Sequence, residues 1–219
     1  MTRPGFEPSL AALRRATLAA LAAAALATPL LLAGCAPLLM GGAMMGTALS
    51  VTDRRSSGAQ VEDQAIELKS ISRLRDGLGD RGHVSITSFN RIVLLTGEVA
   101  SEADRKSAEQ VVAAIDNVRG TVNELAVMGS SSITSRSSDA VLTSKVKAAY
   151  FDTKDLQANV FKVVTERSVV YLMGIVSERE AARAAEVARG VGGVAKVVRV
   201  FEVISEAELA KLQPPPSGK

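Results

Sequence analysis

The chain repeats itself at an offset of 76 residues, which dictates two copies of one small unit rather than a single large core. Ser101-Glu102-Ala103-Asp104 aligns with Ser177-Glu178-Arg179-Glu180. Both tetrads read as capping boxes, where a serine accepts from the third amide and an acid three residues on reaches back. The apolar stripe that follows is shared. Ala108, Val111, Val112 and Ile115 match Ala184, Val187, Ala188 and Val191, the spacing of one helix face.

Each capped helix is preceded by an apolar run ending in glycine, Ile92 to Gly97 and Val169 to Gly174. Short β-branched runs of this kind predict central strands. Shorter strand-like segments, Val84 to Thr87 and Val160 to Thr165, come just before them across tight turns. A third strand is predicted after each helix, over Val118 to Val127 and Val194 to Val203. Opening helices are predicted near Asp63 to Leu74 and Asp139 to Phe151. The fold class is therefore α+β: two tandem αββαβ units, each a small mixed three-stranded sheet packed against two helices. The crossover into each third strand is right-handed by the general rule. Units this small bury a marginal core alone, so contact between them adds stability.

The only cysteine, Cys35, ends an uncharged run from Ala16 to Ala33 that follows Arg14 and Arg15. A positive region, an apolar stretch and small residues before a cut point are the marks of a secretory signal. Leu32-Ala33-Gly34-Cys35 resembles the lipobox of bacterial lipoproteins, in which the cysteine is acylated and becomes the mature N-terminus. A transmembrane helix is the competing reading, disfavoured by the alanine content, by Pro29 and by the small-small-Cys ending. The expected organisation is a lipoprotein signal peptide at 1–34, a lipidated flexible tether at 35–60 and domains at 61–128 and 138–204. A linker at 129–137 joins them, and a disordered Pro-rich tail at 205–219 closes the chain.

Charge and composition exclude several functions. The +3 net charge falls to +1 once residues 1–34 are removed, because they hold three Arg and one Glu. With that balance, no Trp and 3% aromatics, neither a basic footprint nor stacking platforms for nucleic acid are present. One histidine, His83, is placed in a solvent-facing turn and cannot assemble a zinc site with an acylated cysteine. No nucleophile, base and orienter set is apparent, so no enzyme is expected. Glu98, Glu102 and Asp104 are read as helix N-terminal charge, and Gly190, Gly192 and Gly193 as C-cap chemistry rather than a phosphate cradle. No cofactor is expected beyond covalent lipid on Cys35.

The αββαβ order, the strand-end glycines Gly97 and Gly174, the helices after Ser101 and Ser177 and the Val118/Val194 region resemble the BON domain, a module of bacterial envelope proteins. With Cys35, and with Thr52 to Val61 ahead of the first unit, the chain resembles the dual-BON-domain outer-membrane lipoproteins, a division- and outer-membrane-stress-associated lipid-binding family. The resemblance implies a non-enzymatic role on the periplasmic face of the outer membrane, supporting its integrity, in some members at division sites. It implies binding of anionic phospholipids such as phosphatidylglycerol or cardiolipin through the first helix of the second domain. Ala36, in place of the Asp that retains lipoproteins in the inner membrane, implies transfer to the outer one.

The residues offer means for this. Residues 61–128 carry net −3 and residues 138–204 net +2. In the second opening helix Leu142, Val146 and Ala149 form the packing face, with Tyr150 and Phe151 assigned to the core. Val141, Lys145 and Ala148 form another face, flanked by Lys147 and followed by Lys154. These five are the candidate phospholipid-binding residues, since an apolar spot beside lysines suits a membrane interface. Near an anionic surface each lysine contributes about 1 kcal/mol. A scaffold docking on envelope-assembly or wall-remodelling proteins is the alternative partner class.

Overall fold

The structure is a computed structural model, and it describes residues 53–79 and 81–212. The signal segment, Cys35, residues 36–52 of the expected tether and Gln213 to Lys219 lie outside the described residues. The first unit comprises α1 (Ser57–Leu78), β1 (Gly82–Phe89), β2 (Ile92–Val99), α2 (Glu102–Ala113), β3 (Gly120–Asn123) and β4 (Ala126–Val127). The second comprises α3 (Ile133–Asp152), a 3-10 turn at Ala158–Val160, β5 (Lys162–Glu166), β6 (Val169–Val176), α4 (Glu178–Gly190) and β7 (Lys196–Val203). A last helix, α5 (Glu206–Leu212), follows.

In each sheet the apolar run is the central strand. β2 pairs antiparallel with β1 and parallel with β3 and β4. β6 pairs antiparallel with β5 and parallel with β7. The third strand of the first unit is broken because Asn123 Oδ1 accepts the amide of Leu125 at 3.2 Å, a local turn that sends Leu125 into the core. Its counterpart by the repeat is Arg199, and there β7 runs unbroken.

Three apolar clusters explain why the central strands are apolar on both faces. Val93, Leu95 and Val99 pack under α1 and α2 with Ile66, Leu74 and Val112. Val170, Leu172 and Val176 pack under α3 and α4 with Val146, Tyr150 and Ala184. The intervening residues meet each other: Phe89 and Leu94 of the first sheet share a cluster with Tyr171, Met173 and Ile175 of the second. The order of layers is helices, sheet, sheet, helices. Polar links run across this seam, with Asn90 Nδ2 donating to Glu202 at 2.6 Å and Lys162 to Glu67 at 3.1 Å.

Both hairpins turn through two residues with positive φ, Asn90 and Arg91 in one and Arg167 and Ser168 in the other. Primed turns need this conformation, which costs a non-glycine residue about 1 kcal/mol or more. A helix carboxylate offsets the cost in each unit. Asp63 accepts from the amides of Asn90 and Arg91 at 2.8 and 2.7 Å, and Asp139, 76 residues on, accepts from Arg167 and Ser168 at 2.8 Å each.

Sequence reasoning runs the flexible tether to residue 60, whereas the structure pins Asp53 to Arg55 against both units. The Arg54 guanidinium makes two 2.8 Å bonds to Glu180 and one to the Ile175 carbonyl, with both charged side chains almost fully buried. Arg55 bonds Asp53 and Asp63 and lies 4.2 Å over the Phe89 ring. The expected linker is helical from Ile133, capped by Ser132. The expected tail is helical through Leu212 and buries Leu209. Of the two capping boxes only Ser177/Glu180 is complete, because Asp104 turns instead to the Ser101 hydroxyl and Arg81. His83 lies in β1, half-buried, rather than in a turn. Glu98 is not helix-end charge: it is buried in β2 and accepts the amide of Ser131 at 3.2 Å.

Burial pushes the Asp63 carboxyl up, but the Ser88 hydroxyl, the Arg91 amide, Arg55 and the Asn90 amide outweigh it and hold the group low. Burial likewise pushes the Glu180 carboxyl up, but the Arg54 guanidinium and the Ser177 amide outweigh it and hold the group low. Stability from both groups is present above their unfolded values near pH 4 and is lost as pH falls through the lowered folded values. Glu166 has the opposite sign. Burial, then the charges of Glu98 and Asp139, raise it, so its contribution is lost as pH rises through the folded value. Urea midpoints from pH 7 to pH 2 are expected to fall on the acid side, and Asp63→Asn to lower the pH 7 midpoint while flattening that fall. Arg54→Ala leaves Glu180 buried without its partner and is expected to cost about 3 kcal/mol. Tyr150→Phe, which removes the 3.0 Å bond to the Ala184 carbonyl, is expected to cost about 1 kcal/mol by the same measurement.

Candidate functional site

The surface best equipped for recognition is the outward side of α3. Leu142, Val146 and Tyr150 turn inward and are buried. Tyr150 is fixed there by its hydroxyl bond to α4 and by the Phe161 ring, whose centroid is 5.1 Å away. One residue on advances the helix by about 100°, so Phe151 leaves the core and is 67% exposed. This corrects its assignment to the core and supplies the large outward aromatic that sequence reasoning missed. The spacing alone gave no decisive signal, since neighbouring helix positions can share one core-facing stripe, as Ala184 and Ala185 do in α4.

All five candidate residues are exposed. Val141, Lys145, Lys147 and Ala148 lie on α3, and Lys154 sits in the connection that follows. Val141 is 55% exposed and Ile133, at the start of the helix, 81%. On an ideal helix Ile133, Val141, Ala148 and Phe151 fall within one half of the circumference and extend over about 27 Å. Lys145 and Lys147 flank that stripe on opposite sides. The one acid in the middle of the helix, Asp139, is buried and committed to the hairpin amides, so it does not oppose the lysines at the surface.

Beside the first half of α3 runs an open groove of about 460 Å³, lined by Ser137, Ser138, Val141, Lys145, Ser168 and Gly193. It offers hydroxyls and one ammonium around an aliphatic wall. The Ser137 and Ser138 hydroxyls donate to helix carbonyls four residues back and present oxygen lone pairs outward. The groove exists because α4 ends at Gly190 and the chain turns through Gly193 at φ 104°.

Among the described residues no cluster of three or more histidine, cysteine or acidic side chains has metal-site geometry, and no helix is long and apolar enough to cross a membrane. Tyr171, pushed up to about 12 first by burial and then by the charge of Glu124, stays a neutral phenol in the seam.

Comparison with known proteins places this architecture. The family model described as "BON domain" matches residues 62–129 and again residues 138–205. The chain is 32% identical over 166 residues to "Outer membrane lipoprotein DolP" of Haemophilus influenzae, covering 75% of this chain and 85% of that protein. It is 31% identical to the "21 kDa hemolysin" of Actinobacillus pleuropneumoniae, covering 69% and 79% of the two chains. Similarity also extends to "Osmotically-inducible protein Y" of Escherichia coli, 28% identical over 63% of this chain and 70% of that protein. With both αββαβ units matched and a relative aligned across three quarters of its length, the chain belongs to the BON-domain family and carries two tandem copies of the domain.

Proposed function

We propose that this is a non-enzymatic outer-membrane lipoprotein, anchored through acylated Cys35 on the periplasmic face, whose second BON domain binds anionic phospholipid through α3 and supports envelope integrity. The observation that carries the lipid reading is the stripe of Ile133, Val141 and Phe151 left outside the core and flanked by lysines. The name of the 32%-identical relative, an outer-membrane lipoprotein, and the signal-like leader ending at Cys35 support the anchor and its location.

The energetics fit an adhesion that works beside an anchor. Lys145, Lys147 and Lys154 contribute about 1 kcal/mol each next to an anionic leaflet. Inserting the exposed part of Phe151 adds about 1–2 kcal/mol of apolar burial. A sum of a few kcal/mol corresponds to dissociation constants of about millimolar, weak in free solution. Acyl chains on Cys35 confine the domain beside the leaflet, where such an affinity is enough to keep α3 docked. In the groove along α3 the Lys145 ammonium meets the lipid phosphate, while the hydroxyls of Ser137, Ser138 and Ser168 suit the polyol of a phosphatidylglycerol or cardiolipin headgroup.

Protein starting at Ala36 without acyl chains, mixed with phosphatidylglycerol vesicles at low salt, is expected to bind, and the binding to weaken as salt rises. Lys145→Glu with Lys147→Glu is expected to weaken it by about 30-fold or more. Phe151→Ser is expected to weaken it by about tenfold while the urea midpoint moves by no more than about 0.5 kcal/mol. Co-sedimentation that is indifferent to the lysine reversals, or equal on neutral vesicles, rules the reading out.

A further inference from the structure

The two BON units are not equivalent beside their first strands. In the second unit the nine residues from Thr153 to Phe161 fold back over the space between α3 and β5, filling it with buried Leu156, Val160 and Phe161. In the first unit α1 ends at Leu78 and β1 already starts at Gly82, so no chain is available to fill the matching space. What remains is a groove of about 220 Å³ between α1 and the outer edge of β1. Ile71, Leu74 and Leu78 form its helix wall, Val84 and Ile86 its strand wall, and Arg75 stands at its rim.

The hairpin register decides which backbone groups line this groove. Phe89 and Ile92 flank a two-residue turn and form a hydrogen-bonded pair, so Val84, Ile86 and Ser88 lie at the alternate positions whose amides and carbonyls point away from β2. Ser88 is already satisfied on that edge, its amide by Glu67 at 2.8 Å and its carbonyl by Lys162 at 3.3 Å. Val84 and Ile86 have no such side-chain partner among the described residues. An open strand edge facing an apolar helix wall is the arrangement by which sheets take up an extended peptide as an added strand.

We propose that this groove of the first domain is a peptide-docking site, in which an extended segment of a partner protein adds to β1 and sets alternate apolar side chains against Ile71, Leu74 and Leu78, with an acidic group of the segment on Arg75. The unsatisfied main-chain donors and acceptors favour a strand over a lipid tail, since an acyl chain offers nothing to pair with them. Arg75 selects for negative charge at one end of the segment. The site is separate from α3 and does not depend on the lipid reading.

The test uses the full-length lipoprotein in detergent and a library of displayed random octapeptides. Enriched peptides are expected to alternate apolar residues and to carry an acid near one end. A synthetic copy is expected to slow amide exchange of Val84 and Ile86 while leaving the already bonded Ser88 amide unchanged. Ile71→Asp on the exposed helix wall is expected to weaken it at least tenfold. Ile86→Pro removes one outward amide without breaking the ladder to β2, and is expected to do the same with near-UV circular dichroism preserved. No enrichment over the Ile71→Asp protein overturns the proposal. So does binding without protection of Val84 and Ile86, or quenching of a fluorophore at residue 71 by brominated phosphatidylglycerol, which would make the occupant a bilayer.

Discussion

A three-stranded sheet has two faces, and two helices cover only one of them. Everything else in this protein follows from how the second face is hidden. Leu94 and Phe89 on one sheet and Tyr171, Met173 and Ile175 on the other remove each other from water. The central strands can then carry apolar side chains on both faces, Val93 and Leu95 towards helices and Leu94 towards the opposite sheet. A polar substitution at any of them has no tolerant side to face. The polar links of Asn90, Glu202, Lys162 and Glu67 sit around this seam and fix how the sheets lie against each other.

Two carboxylate devices keep the units in shape. Asp63 and Asp139 reach from the first helix of each repeat to a hairpin turn whose backbone would otherwise be strained. Their position at the same repeat offset makes them part of the unit rather than local accidents. Arg54 does something different, since it joins the segment ahead of the first domain to the helix cap of the second. The chain arriving from the direction of Cys35 is therefore clasped by the domain farther along the sequence before it enters the nearer one. That clasp fixes the start of the first domain against the second.

Much of the fold was legible because it depends on local signals. The repeat offset, the apolar runs, the serine caps and the helix stripes each act within a few residues. What was not legible depends on contacts distant in sequence. The unbroken apolar run of Ile92 to Leu95 signals that both faces of the strand are covered, but nothing in it says that the second cover is the sheet of the other unit. Glu98 reads as helix-end charge until the Ser131 amide is found above it. Arg54 reads as tether until Glu180, 126 residues away, is found beside it. At the candidate lipid surface the lysines and Val141 were evident from spacing. Phe151 was not, because the hydroxyl of its neighbour Tyr150 decides which of the two aromatics turns inward.

The shared interior of the two sheets has a consequence for how such a protein behaves when divided. Each half buries against the other the same side that it would otherwise present to a second molecule of its own kind, so the tandem is in effect a dimer written into one polypeptide. Residues 128–132 hold the halves at an effective concentration of about millimolar. That closeness lets the halves meet before a neighbouring molecule can intrude. A lone half released by proteolysis would carry an uncovered apolar sheet and seek an identical mate.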